Sequence, residues 1–167
     1  MSLPMVIGDA AQNADRDTVI AWLDAGGSIN DVDENGFTLL NCCASGDIED
    51  EAVGDGHVTL ARHLIALGAD VNIASEATTA LNVIAQKHWE EQAVLEMLSL
   101  LLGAGANVTA RDINGDTPLS HALWHAPIIS LRMSTELLRA GASLDACHGD
   151  YAPCKTGRGY HPKTRIG

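Results

Sequence analysis

The side chains of this chain that could do chemistry are seven histidines, four cysteines and a run of carboxylates. The carboxylates are Asp47, Glu49, Asp50, Glu51 and Asp55, and clustered carboxylates are hard oxygen ligands suited to calcium. A calcium-loop series starting at Asp47 needs glycine at its sixth position and glutamate at its twelfth, and the chain has Ala52 and Val58 there. The run therefore reads as a solvated acidic loop or a contact for a basic partner. Cys147, His148, Cys154 and His161 have the ligand types of a zinc site, but the spacing is Cys-x6-Cys-x6-His, without the close cysteine pair that marks such sites. These residues read as a tail, and no metal is expected. Cys42 and Cys43 lie in an apolar segment, where cysteine behaves as a small buried hydrophobe.

Catalysis finds no support. The chain has no Gly-x-Ser-x-Gly elbow, phosphate loop, dinucleotide fingerprint or His-Glu-x-x-His. Its histidines are scattered, without an acid paired at helical spacing. The sequence predicts a protein that is not an enzyme and holds no cofactor.

What must position any functional side chain is a repeat. Four stretches are nearly the same: LDAGGSIN at 23–30, IALGADVN at 65–72, LGAGANVT at 102–109 and LRAGASLD at 138–145. Their glycines Gly26, Gly68, Gly105 and Gly141 are 42, 37 and 36 residues apart. Self-similarity at that period marks units that bury their apolar faces only against one another, which favours an extended binding surface over a cleft. With 24 Ala, 19 Leu and six aromatic residues, the expected core is a series of thin helix–helix layers.

Each unit reads the same way. In the second, Asn35-Gly36 supplies a turn, Thr38 an N-cap, Leu39–Ala44 an inner helix and His57–Leu67 an outer one closed by Gly68. In the fourth, Asp112–Asp116 is the turn, Thr117 the cap and Pro118 the first helical residue. The third is weaker, with Ala77 at the place of the turn glycine and Thr79 opening its helix. At the start, Val6–Asn13 and Asp17–Leu23 read as a capping unit, with Trp22 in the apolar stripe of its second helix.

The motif Gly115-Asp116-Thr117-Pro118-Leu119, the run GHVTLARHLIALGADVN at 56–72 and the recurrent Gly-Ala-polar-aliphatic close resemble the ankyrin-repeat family. The resemblance covers about 5–146. It implies an all-α solenoid of stacked helix-turn-helix units with β-hairpin-like fingers. The units are expected at about 5–32, 33–74, 75–111 and 112–146, followed by a rudimentary fifth finger and a basic tail at 147–167. The chain departs from the family at the inner-helix histidine, where Asn41, Asn82 and Ser120 stand; His121 is one residue late. The family period is about 33, so the three spacings carry insertions, located at Ser45–Asp55, Gln86–Gln92 and Trp124–Ile128. The second contains no breaker and reads as lengthened helices.

By the same resemblance, partner contacts come from finger tips and the ends of the inner helices. Those positions are Glu34, Asn35, Phe37, Ser75, Glu76, Thr78, Ile113, Asn114 and Asp116, then Gln86, Lys87, Trp124 and His125. Phe37 is read either as an exposed ring on a finger tip or, equally, as a ring packed on the neighbouring finger. Trp124 beside His125 is read as an aromatic recognition pair.

Net charge is −12 and uneven: −11 over residues 1–56, −5 over 57–150 and +4 over the tail 151–167. An acidic body repels phosphate backbones, so nucleic acid is not an expected partner. No apolar stretch reaches the roughly 18–20 residues of a membrane span, and the start of the chain lacks the pattern of a secretory leader. The expectation is a soluble cytoplasmic scaffold, monomeric, that binds another protein of basic character. The alternative is a piece of a larger protein whose array docks on, or recruits substrate for, a further domain.

Overall fold

A computed structural model describes residues 2–46, 53–75, 78–87, 92–124 and 129–144. The described chain is all-helical, with eight helices and no strand longer than an isolated bridge. The helices are α1 (Met5–Gln12), α2 (Arg16–Asp24), α3 (Leu39–Ser45), α4 (Asp55–Ala66), α5 (Ala80–Ala85), α6 (Gln92–Gly103), α7 (Pro118–Trp124) and α8 (Ile129–Arg139).

Consecutive helices pair as α1 with α2, α3 with α4, α5 with α6 and α7 with α8. The odd-numbered helices also pack in series, α1 on α3, α3 on α5 and α5 on α7, while α4 packs on α6 and α6 more lightly on α8. The core follows from this order. Leu39, Leu40, Leu60, Leu64, Leu81, Ile84, Met97, Leu98, Leu101, Leu119 and Leu137 are fully buried, and each contributes about 1.5–3 kcal/mol by leaving water. None is aromatic, and alanines at 11, 44, 61 and 80 are fully buried beside them.

The threonines begin the inner helices as their spacing predicts. Thr38 Oγ1 accepts the Asn41 N–H at 3.2 Å, and Thr79 Oγ1 accepts that of Asn82 at 3.4 Å. Thr117 and Ser120 bond reciprocally, each side chain accepting the other's backbone N–H (3.2 and 2.7 Å). At the other end of each pair, Gly26, Gly68, Gly105 and Gly141 take left-handed φ between +86° and +99°. That closure satisfies the last helix carbonyls: after α4, Gly68 N–H donates to Ile65 O and Ala69 N–H to Leu64 O, both at 3.0 Å.

Trp22 is half-buried against the core, and its indole lies over Gly27. A Cβ at Gly27 would meet the ring at 2.5 Å, so only glycine lets the chain pass there. The second insertion does not lengthen α5 as its composition suggests. The helix ends at Ala85, and Gln86 caps it, because the N–H groups of Gln86 and Lys87 already bond back to Val83 and Ile84. Residues 88–91 lie outside the described chain.

Two sets of polar rungs join neighbouring pairs. On one side Asp70 N–H donates to Asn30 Oδ1 at 2.9 Å, and Asn107 N–H to Asn72 Oδ1 at 2.8 Å. On the other, the amides of Asn41 and Asn82 reach forward. Each asparagine accepts its own cap hydroxyl through Oδ1 (3.2 and 2.7 Å), which turns Nδ2 toward the next turn. Asn41 Nδ2 then donates to Thr78 O at 3.4 Å, and Asn82 Nδ2 to Asp116 O at 3.4 Å.

Candidate interaction surface

The turns that precede the inner helices carry most of the residues singled out from sequence. In the first, Asp33 Oδ1 accepts the N–H groups of Asn35 and Phe37, both at 2.8 Å. Gly36, at φ +81°, donates to Asp33 O at 3.0 Å, and Val32 bridges Thr38. The turn before α7 repeats this: Asp112 Oδ1 accepts Asn114 and Asp116 N–H at 2.8 Å, and Gly115 has the same φ of +81°. Short acidic side chains hold such turns by mimicking a backbone carbonyl. The turn before α5 has Ala74 in the aspartate's place and closes through Ser75 and Thr78 backbone bonds instead.

These turns expose Glu34, Asn35, Ile113 and Asn114. Ile113 is 69% exposed, in the position that Glu34 holds two pairs earlier. Trp124, the last residue of α7, is 70% exposed, with Leu123 beside it at 43%. Ile113 and Trp124 thus flank one short helix, the first before its cap and the second at its end.

Other expected contact residues are used inside the chain. Ser75 is buried, and its hydroxyl donates to Asn35 O at 2.6 Å, joining the first turn to the second. Phe37 is not an exposed ring on the turn; it is half-buried and packs against the core. Thr78 is half-buried, its carbonyl taken by Asn41. Asp116 is half-buried, with its carbonyl accepting from Asn82. Lys87 Nζ donates to Ser45 O, tying the end of α5 to the end of α3. Glu76 and His125 lie outside the described residues, as do Cys147, His148, Cys154, His161 and all of the acidic run but Asp55.

Gln86 belongs to a buried polar cluster that the sequence did not reveal. His121 Nε2 lies 3.0 Å from Asp112 Oδ2, with little of either side chain exposed. The carboxylate requires that nitrogen to carry a proton, and the terminal amide of Gln86 lies 3.4 Å from it. The atom of that amide nearest the ring is Nε2, a donor like the ring N–H, so Gln86 meets His121 as a packing contact and not through a hydrogen bond. The cluster joins the third pair to the fourth, and its one sequence signal was the displaced histidine.

The thiols are passive. Burial pushes Cys42 and Cys43 up to about 12; for Cys42, Asp33 and Asp9 add to the effect. Cys43 Sγ donates to His57 O at 3.0 Å, and Cys42 Sγ lies 3.5 Å from where a Cβ on Gly8 would stand. Among the described residues no three His, Cys, Asp or Glu side chains are placed to hold a metal ion. None of the described helices is long and apolar enough to cross a membrane.

A second surface lies on the even-numbered helices. A groove of about 650 Å³ runs between α6 and α8, with Leu95 and Leu131 flanked by Arg132 and Glu96. Another, of about 470 Å³, lies between α4 and α6, and Glu96 and Ser99 line both. Leu131 is 68% exposed there, although its place in the helical stripe suggests burial. The stripe that packs inward is Met133 and Leu137.

No family model matches the chain, and no curated protein is significantly similar to it.

Proposed function

We propose that this chain is a non-catalytic ankyrin-repeat protein that binds a protein partner across its turns and the ends of its inner helices. The series packing of the odd-numbered helices, with polar rungs repeating from pair to pair, supports the repeat reading. The observation that carries the binding reading is the pair Ile113 and Trp124. Each is about 70% exposed, and they flank a helix whose Pro118, Leu119 and Ala122 are buried and whose His121 bonds Asp112, with Leu123 exposed beside the indole. Single exposed apolar side chains are ordinary, but a large aliphatic and an indole bracketing one rigid element form the kind of anchor a partner buries. Glu34, Asn35 and Asn114 extend this face as polar rim.

The acidic charge sets the partner's character. A net −12 favours a basic protein and makes the association weaken as salt rises.

The test is capture from native lysate by the wild-type chain and by an Ile113→Ser, Trp124→Ser double variant. The variant is expected to lose a partner that the wild type retains at low salt and releases at high salt. Equal recovery of every bound protein by both chains would remove these residues from the binding face.

A further inference from the structure

His57 is 7% exposed, and both of its ring nitrogens are occupied. Nδ1 accepts the Gly54 N–H at 3.1 Å, and Nε2 lies 2.6 Å from Gln12 O. A carbonyl oxygen can only accept, so Nε2 carries the ring proton and Nδ1 is bare. The two contacts reach in opposite directions. Gly54 is the N-cap of α4 and, with buried Val53, the described end of the acidic insertion. Gln12 ends α1, 45 residues earlier. In the first turn of α4 the ring plays the part that glutamate plays in a capping box, while Gly54 has no side chain to cap the helix itself. The seat around it is tight. Cys43 Sγ donates to the His57 carbonyl, and a Cβ on Gly56 would stand 3.1 Å from that of Ala14.

We propose that His57 is a pH-sensitive latch, holding the end of the acidic insertion and the start of α4 against the first helix pair only while its ring is neutral. A second proton can go only to Nδ1. It would face the Gly54 N–H, replacing a hydrogen bond with two opposed donors. It would also put a cation at the positive end of the α4 dipole. The ionisable groups on the surrounding elements are Asp9 on α1, Asp15, Arg16, Asp17 and Asp24 at the head of and along α2, Cys42 and Cys43 on α3, Asp55, Arg62 and His63 on α4 itself, and Glu96 on α6. Among the described residues no carboxylate oxygen meets either ring nitrogen, so none is in place to receive the added proton's charge. The contact that gives way on protonation is the one at Gly54.

The full chain provides two readouts. Ring ¹⁵N resonances at pH 7.5 are expected to report the Nε2–H tautomer of His57; an Nδ1–H tautomer overturns the proposal without any variant being made. Amide exchange, corrected for its intrinsic pH dependence, is expected to show Gly54 losing protection about tenfold between pH 7.5 and 5.0, the order that one lost hydrogen bond gives. His57→Gln keeps a neutral acceptor and donor and is expected to hold Gly54 protection level across that range. Level protection in the wild type, or a parallel loss in His57→Gln, rejects the latch.

Discussion

The turn before α3 and the turn before α7 are built alike, yet the acid at the head of each meets a different residue. Asp33 and Asp112 both accept two backbone N–H groups at 2.8 Å, and both turns place glycine at φ +81°. Nine residues on, the first helix presents Cys42 and the second His121. His121 answers its aspartate with a 3.0 Å bond and brings in Gln86 from the preceding pair. Cys42 cannot answer; the nearby acid instead adds to the burial that keeps the thiol protonated. One aspartate therefore shapes a turn, while the other shapes a turn and fastens it to the helix that follows. Equal turn motifs need not make equal contributions, because the second oxygen of the acid is free to take whatever partner the helix offers.

Removing each acid should expose that difference most strongly. Asp112→Ala loses both turn bonds and leaves His121 facing nothing, and is expected to destabilise by about 3 kcal/mol. Asp33→Ala should cost about 1.5 kcal/mol, the turn bonds alone. Urea denaturation of the two variants measures both, and equal losses would mean that the His121 bond contributes nothing. Transplanting the fourth pair's residue tests the same point from the other side. Cys42 is 3% exposed and abuts Gly8, so Cys42→His overpacks the α1–α3 contact and should cost about 2 kcal/mol despite the waiting acid.

The thiols give a pH signature to the α3 side only. Their folded values, about 12, lie above the ordinary 9.0, so the unfolded chain loses these protons first. The associated stability is complete below about pH 9 and is lost as pH rises toward 12. A Cys42→Ala, Cys43→Ala variant should flatten that alkaline limb in denaturation midpoints measured from pH 8 to 11. Caps should behave alike in both regions: Thr38→Ala and Thr117→Ala are each expected to cost about 1 kcal/mol. The smallest effect belongs to the tips. Glu34→Ser and Ile113→Ser should change stability by less than about 0.5 kcal/mol, and only a larger loss at Ile113 would show that its side chain packs at home.

Much of the helical frame was legible because its signals are local. Thr38, Thr79 and Thr117 mark helix starts through bonds to residues three positions on, and Gly68 marks a helix end through its own bond three positions back and that of Ala69 five positions back. What the sequence concealed depends on residues that are distant in the chain. Lys87 reads as a partner contact until Ser45, 42 residues earlier, takes its ammonium. Phe37 reads equally as an exposed or a packed ring, and only the core beneath it decides for packing. His57 reads as part of a family-like run, and its bond to Gln12 spans 45 residues. The exposure of Leu131 has the same origin: helical spacing places it on a stripe, but only the position of α6 decides which part of α8 is covered.

The asparagine rungs have a consequence for how this molecule comes apart. Asn30 reaches the second pair and Asn72 the third, so each rung crosses a single boundary between neighbours. The same boundaries are spanned by apolar packing of α3 on α5 and α4 on α6, so a rung adds to a coupling between neighbours that packing already supplies. Asn72→Ala, at the centre, should lower the melting midpoint by the few degrees that about 1 kcal/mol gives while the transition stays single, because the helices on either side still pack on one another.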